Sequence, residues 1–347
     1  MKSTPFVIAL LSALFFGAAA PLSKPLLAQL TSSQLAGLLY LGAAAGVVVL
    51  LAGERRFTLP WRMKPADRLR LLGAVVFGGV LGPLFLLAGL RMALAASVSM
   101  WLNLEMVATA VLGHFIFKDH LTRRSWLAVG GIFLASALLA AGEGLAGVQA
   151  GLLVALACLC WGIDNHLTAL IDGITPAQST FWKGLVAGST NLAIGLALAP
   201  LTAPAGTVAA GLGLGVVSYG LSIVFYITAA QQLGATRSQL IFSSAPFWGV
   251  LLSLLWLGEA FTPQLGLGIG LFVLSIGLLF REQHAHAHTH RHMAHEHFHS
   301  HLDGHHNHTH PDGQTAGWHS HPHEHEPVRH AHPHWPDLHH RHAHTAD

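Results

Sequence analysis

The chain has 347 residues, of which 52% are hydrophobic and only 10% charged. A soluble globular protein carries roughly 25% charged residues, so this composition excludes a dissolved monomer with a charged coat. The formal net charge of +2 counts histidine as neutral; imidazoles charge below about pH 6.5, and the chain then becomes far more cationic.

Apolar runs recur at about 5–23, 33–52, 70–90, 94–117, 124–142, 150–170, 177–198, 208–230, 236–257 and 264–280. A helix needs roughly 20 apolar residues to cross the hydrocarbon core. The pattern predicts an all-α polytopic membrane protein with ten transmembrane helices and the lipid bilayer as its surroundings. The first run, "MKSTPFVIALLSALFFGAAA", has the outline of a secretory signal. Pro21 just after the small residues and a matching run later in the chain argue against cleavage.

That match is one of several. "ALLSALFFGAAAPLS" (9–23) aligns with "LVALACLCWGIDNHLT" (153–168), "LTSSQ" (30–34) with "ITPAQ" (174–178), and "FKDHLT" (117–122) with "LGEAFT" (257–262). The offset stays between 140 and 145 residues. The reading is two five-helix repeats, residues 1–142 and 143–281. Because five is odd, the second enters the membrane inverted. With a cytoplasmic N-terminus, Arg55, Arg56, Arg62, Lys64, Arg68, Arg70, Lys118, Arg123, Arg124, Arg237 and Arg281 fall inside, and only Lys24 and Arg91 outside. By the positive-inside rule both termini are expected in the cytoplasm of a bacterial inner (plasma) membrane. The basic residues thus follow topology and form no nucleic-acid patch. Cys158 and Cys160 are two apart in an apolar run, too close in sequence to pair within a helix, and read as small buried residues.

The composition changes near Arg281. Of 27 histidines, 24 lie beyond residue 283. They are His284, His286, His288, His290, His292, His295, His297, His299, His301, His305, His306, His308 and His310, then His319, His321, His323, His325, His330, His332, His334, His339, His340, His342 and His344. Neutral imidazole suits zinc, nickel, copper and cobalt. The tail, 282–347, has no cysteine and little apolar content. It is expected to be disordered and to bind Zn, Ni or Co at several exchanging sites, with no obligatory cofactor.

Residues 5–280 resemble the EamA-type transporters of the drug/metabolite transporter superfamily. The likeness rests on the repeat-end motif "LGEAFT", its degenerate copy "FKDHLT", and "LGATRSQLIFSSAPF" (233–247) with its mid-helix Pro246. The first half departs at the equivalent position, where "WLNLEMVATAVL" carries Glu105 and Met106. "LNLE", "CWGIDN", "KGLVAG" and "PDLHHRHAH" are similar to a subgroup with a histidine-rich end. The resemblance implies secondary transport, often export, of small solutes, and leaves the substrate open.

An ionisable group inside the bilayer costs roughly 2.5–3.5 kcal/mol on insertion scales, which makes intramembrane charges candidate site residues. Glu105 lies near the middle of the fourth run, with Trp101 on its face and Asn103 nearby. Asp164 and Lys183 lie at matched depth on either side of a short turn and are expected to pair, as a structural clamp or as a gate. His166 reads as a satisfied polar residue or a ligand. Arg237 reads as a snorkelling or anion-contacting residue, and Tyr219 as a packing or cavity residue. Three readings remain open: a divalent-metal exporter, an amino-acid or metabolite exporter whose tail regulates or stores metal, and a membrane-tethered metal buffer or sensor. No nucleophile–base set or nucleotide loop stands in the sequence, so an enzyme is not expected.

Overall fold

The computed structural model describes residues 3–54, 57–117, 123–171, 174–233 and 241–280, and in the tail 285–289, 293–299, 319–325 and 329–333. Over its described residues every apolar run is largely helical, some as stacked pieces. Runs one and two are α1 (Ser3–Gly17) with α2 (Ala19–Leu26), and α3 (Ser32–Leu51). Run three is α4 (Pro65–Ala74), a π-helical segment Val75–Leu81, and α5 (Gly82–Met92). Run four is α6 (Ala95–Trp101) with α7 (Leu104–Phe117); runs five and six are α8 (Arg123–Gly142) and α9 (Gly144–Ala169). Run seven is α10 (Pro176–Leu198), and run eight is α11 (Ala205–Leu214), a second π segment Gly215–Leu221, and α12 (Ser222–Leu233). Runs nine and ten are α13 (Ala245–Trp256) and α14 (Pro263–Phe280). Seven of these runs are long and apolar enough to cross a membrane, and α13 and α14 are shorter apolar helices, among the described residues.

Two helix starts follow local capping chemistry. Thr31 accepts from Gln34 N at 3.1 Å while Gln34 Oε1 accepts from Thr31 N, a reciprocal capping box. In the matching "ITPAQ", Thr175 Oγ1 accepts from Gln178 N at 3.2 Å. The chain then folds back and forth between two ends. At one end, Glu259 accepts from Ala95 N at 2.8 Å and Ala96 N at 2.9 Å, capping α6. There too, Glu143 accepts from Leu94 N at 2.9 Å, and Lys24 Nζ donates to Leu90 O and Ala93 O at 2.5 and 2.6 Å. At the other end, Glu54 accepts from Thr175 Oγ1 at 2.6 Å, Gln178 Oε1 accepts from Thr58 N at 2.9 Å, and Arg70 donates to Leu170 O at 2.7 Å. These contacts join turns of one parity only, as consecutive antiparallel crossings require.

The outside is greasy: Leu145 is 84% and Leu255 76% exposed, an arrangement suited to lipid and not to water. Polar residues turn inward instead. Ser12 and Ser222 are fully buried and donate reciprocally to each other's backbone carbonyls at 2.7 and 2.9 Å, fastening α1 to α12. Helices approach closely where side chains vanish. A Cβ on Gly42 would stand 2.1 Å from the carbonyl oxygen of Leu212, so α3 lies directly against α11.

In the tail, β1 (Ala285–Thr289) pairs antiparallel with β4 (Arg329–Pro333), and β2 (Met293–His299) with β3 (His319–His325). The physical reason is the alternation itself. Period two is the period of a strand, and doubling back lets backbone groups pair without an apolar core.

Candidate functional site

The interior polar residues gather where four helical runs lose regular geometry. Run four breaks between α6 and α7 at Leu102 and Asn103. Asn103 Nδ2 donates to Met100 O at 2.9 Å, a side chain competing with the helical backbone. Glu105 follows in the first turn of α7, where the helix dipole favours a carboxylate. Its side chain accepts from Asn165 Nδ2 of α9 at 3.0 Å, and the same nitrogen lies 3.2 Å from Thr109 Oγ1. Run nine breaks at the matching place: Ser244 Oγ donates to Ile241 O at 2.6 Å just before α13 and its Pro246. Discontinuous helices of this kind commonly frame cargo sites in repeat-built transporters.

Runs three and eight carry the two π segments, whose first and last residues differ by the same 140 positions. A π turn frees backbone carbonyls, and here they are claimed by side chains. Gly78 O accepts from Tyr40 OH at 2.6 Å and Trp161 Nε1 at 3.0 Å, and Gly79 O accepts from Asn191 Nδ2 at 2.9 Å. Gly78 is also where backbone and charge meet, because a Cβ there would stand 2.0 Å from Asp164 Oδ2.

The expected ion pair is formed. Lys183 Nζ lies 2.7 Å from Asp164 Oδ2, with the side chains 15% and 8% exposed, and Thr168 Oγ1 donates to Asp164 Oδ1 at 2.9 Å. A wall of rings stands alongside. Tyr40 meets Tyr219 at 5.5 Å, Tyr219 meets Phe16 at 6.2 Å, Phe16 meets Phe242 at 5.3 Å, and Phe242 meets Tyr226 at 4.9 Å between centroids. Tyr40 ties the wall to the pair through Gly78, and Asn165, next to Asp164 on α9, ties Glu105 to it. One site therefore takes residues from α1, α3, α7, α9, α10 and the run-eight and run-nine helices.

The other predicted residues take varied places. Trp101 shares a helix face with Glu105 in sequence, but the break intervenes; its indole is fully buried and donates to Ser136 O at 3.1 Å, so it packs against α8. Asn103 serves the break itself. His166 contacts Thr109 O through Nε2 at 2.9 Å, a satisfied polar group beside the cluster. Tyr219 is buried within the ring wall. Arg237 lies outside the described residues, as do Arg55, Arg56, Lys118 and Arg281. Sequence reasoning missed Tyr40, Trp161 and Asn165; the signal for the first was that the chain holds only three tyrosines, all in apolar runs. Among the described residues no three His, Cys, Asp or Glu side chains gather as a metal set.

The fold and this buried polar site define a multi-pass helical membrane protein built to handle a small solute. The sequence profile of the EamA-like transporter family matches twice, over residues 4–141 and again over 149–281. The chain belongs to that family, and it is a transporter and not an enzyme. A protein described as an uncharacterized transporter from Methanothermobacter thermautotrophicus (strain Delta H) is 26% identical over 294 residues, covering 78% of this chain and 85% of the relative. A solved crystal structure superposes with a TM-score of 0.57 at 17% identity, covering 81% of this chain and 100% of the other, a likeness of fold.

Proposed function

We propose that the protein exports a small solute from the cytoplasm by secondary transport, with ten spans arranged as two inverted five-helix repeats and both termini inside. Support for the repeat comes from the doubled family match, the two π segments at one offset, and the paired helix breaks. The turns holding Arg62, Lys64, Arg68 and Arg70 lie at one end, and Lys24 and Arg91 at the other, which suits the positive-inside assignment.

The observation that carries the reading is Glu105 beside the break in run four. Its side chain accepts from a neutral amide, Asn165, while the nearby Asp164 already has Lys183. A carboxyl group away from water holds a proton or faces a cation, so Glu105 is the group that couples cargo to a proton. The Asp164–Lys183 pair is a gate beside it. The histidine tail binds Zn, Ni or Co and serves as a metal store or regulator at the cytoplasmic side.

The test compares solutes in the medium, and metals in the cells, for a deletion strain carrying the wild-type chain, Glu105→Gln or neither. Expected is one organic solute that leaves cells only with the wild type, while Glu105→Gln accumulates normally in the membrane and fails to export it. Full export by Glu105→Gln would reject the coupling role. Metal accumulation that tracks the wild type, with no organic solute changing, would favour metal as the cargo.

A further inference from the structure

Runs three and seven touch at one level and part at another. They touch at the π segment: Asn191 Nδ2 donates to Gly79 O at 2.9 Å, and a Cβ on Gly79 would stand 2.4 Å from Ala187 Cβ. Toward the end that carries Arg62, Lys64, Arg68 and Arg70, α4 and α10 leave between them a groove of about 450 Å³, a volume within the range of small-ligand sites. The buried Leu71 and Val75 form its floor, Leu69 and Leu72 one wall, and Trp182 and Val186 the other. Pro60, Pro65 and Arg68 also line it. The segment carrying Pro60 is fastened to α10, because Trp182 Nε1 donates to Thr58 O at 3.1 Å and Thr58 N donates to Gln178 Oε1 at 2.9 Å.

The lining and its surroundings fix what suits the groove. The lining is hydrocarbon apart from the Arg68 guanidinium and the Trp182 indole, whose N–H is already given to Thr58. From Arg68 to Val75 the helical rise is about 10 Å. Phe57 meets Phe181 and Trp182 at 5.7 and 5.4 Å between centroids, and Trp61 is exposed beside them in sequence. Aromatic clusters of this kind mark the headgroup level of a bilayer, so Arg68 stands at that level and the groove runs from it toward the midplane. The mouth is positive. Arg62, Lys64 and Arg68 are exposed, while Arg70 is engaged with Asp67 and with Leu170 O at 2.7 Å each. The described carboxylates of this end are occupied, Asp67 by Arg70 and Glu54 by Thr175 and Gln178.

We infer that the groove is a binding site for one anionic glycerophospholipid, with its phosphate on Arg68 and one acyl chain laid between α4 and α10. A guanidinium presents paired N–H donors to phosphate oxygens. The neighbouring Arg62 and Lys64 favour a headgroup of net negative charge over a zwitterion. A free phosphate lacks the chain that fills the groove, and a neutral hydrocarbon leaves Arg68 without an anion. The bound chain also braces the Asp164–Lys183 pair. Val75 opens the π segment whose Gly78 abuts Asp164, and Val186 lies about one turn beyond Lys183 on α10. Filling the groove therefore holds run three against the helix that presents Lys183.

The experiment uses the purified, delipidated full-length chain in detergent and three probes: dioleoylphosphatidylglycerol, dioleoylphosphatidylcholine and glycerol phosphate. Native mass spectrometry counts bound lipid, and quenching of tryptophan fluorescence by a phosphatidylglycerol brominated along its chains reads where the chain lies. Expected is saturable binding of one phosphatidylglycerol per chain, tighter than phosphatidylcholine by roughly 5-fold or more. Arg68→Gln should lower phosphatidylglycerol affinity by roughly 5-fold and narrow its preference over phosphatidylcholine. Arg123→Gln, which changes an exposed cation outside the groove, should alter neither. Leu72→Trp and Val186→Trp fill the groove from opposite walls and should each abolish saturable binding of both lipids. Trp182→Phe should remove a saturable part of the quenching. Equal affinity for the two lipids overturns the inference. So does a loss in Arg123→Gln equal to that in Arg68→Gln, which marks a diffuse basic surface. Displacement of the lipid by an equal concentration of glycerol phosphate makes this a free-anion site and also overturns it. Unchanged binding in folded Leu72→Trp and Val186→Trp puts the chain elsewhere and does the same. Arg68 is exposed, so its replacement leaves the fold intact and decides the matter even where a tryptophan variant fails to fold.

Discussion

Breaking the Asp164–Lys183 pair one partner at a time should harm the protein far more than removing both. The side chains are 8% and 15% exposed, and the nitrogen–oxygen distance is 2.7 Å. Asp164→Asn leaves a buried ammonium without its ion-pair partner. Lys183→Met leaves a carboxylate that keeps its bond from Thr168 but loses its counter-charge. Removing one partner of such a pair costs about 3–5 kcal/mol, a loss of roughly 2 to 3.5 decades in the folding equilibrium at about 1.4 kcal/mol per decade. The double change removes both charges and keeps both shapes. Asparagine is isosteric with aspartate, so Gly78, with no room to spare, still fits against it. Methionine keeps the unbranched stem of lysine. The double variant should therefore lie within ~2 kcal/mol of wild type, giving a coupling of several kcal/mol in the cycle. Denaturant titration in mixed micelles, followed by tryptophan fluorescence, reads all four proteins. If the double change costs the sum of the singles, the pair is not an electrostatic unit and the reasoning is refuted. Transport then divides the two roles: a well-folded double variant that still transports makes the pair a clamp, and one that does not makes it a gate.

Gly78→Ala should act like Asp164→Asn, because the new methyl group would occupy the space of Asp164 Oδ2 at 2.0 Å; unchanged thermal stability in detergent would show that the π segment yields instead. Glu259→Ala removes acceptors from Ala95 N and Ala96 N; a lost helix cap costs about 0.5–2 kcal/mol, so the unfolding midpoint should fall, and Glu259→Asp or Gln should recover part of it. Zn²⁺ or Ni²⁺ binding should vanish in a chain ending at residue 281 and should weaken in the full chain between pH 7 and 5.5, because the 24 tail imidazoles must be neutral to ligate; pH-independent binding in a metal titration would exclude the tail as the ligand source. A reporter fused after Asp347 should read cytoplasmic, and a signal from the opposite side would reverse the assigned orientation.

What could be read along the chain was whatever depends on composition and period. Runs of apolar residues dictate helices in lipid because every backbone group must be satisfied internally, and the described parts of the predicted runs are largely helical. The matched "LTSSQ" and "ITPAQ" dictate two helix starts because a threonine cap acts within one turn. The Asp164–Lys183 pair was legible because a short turn puts equal depths side by side. Tertiary structure alone decided the rest. Trp101 and Glu105 share a face only if run four is continuous, and the break at Leu102–Asn103 sends the indole to Ser136 instead. Tyr40 and Trp161 are remote in sequence from Gly78, and no local rule says that a π turn will bare its carbonyl oxygen to both. Asn165 meets Glu105 across 60 residues for the same reason. Local chemistry sets where helices begin and what they must bury. Which buried polar groups meet is set by how the helices cross, and that depends on side-chain contacts summed over the whole bundle.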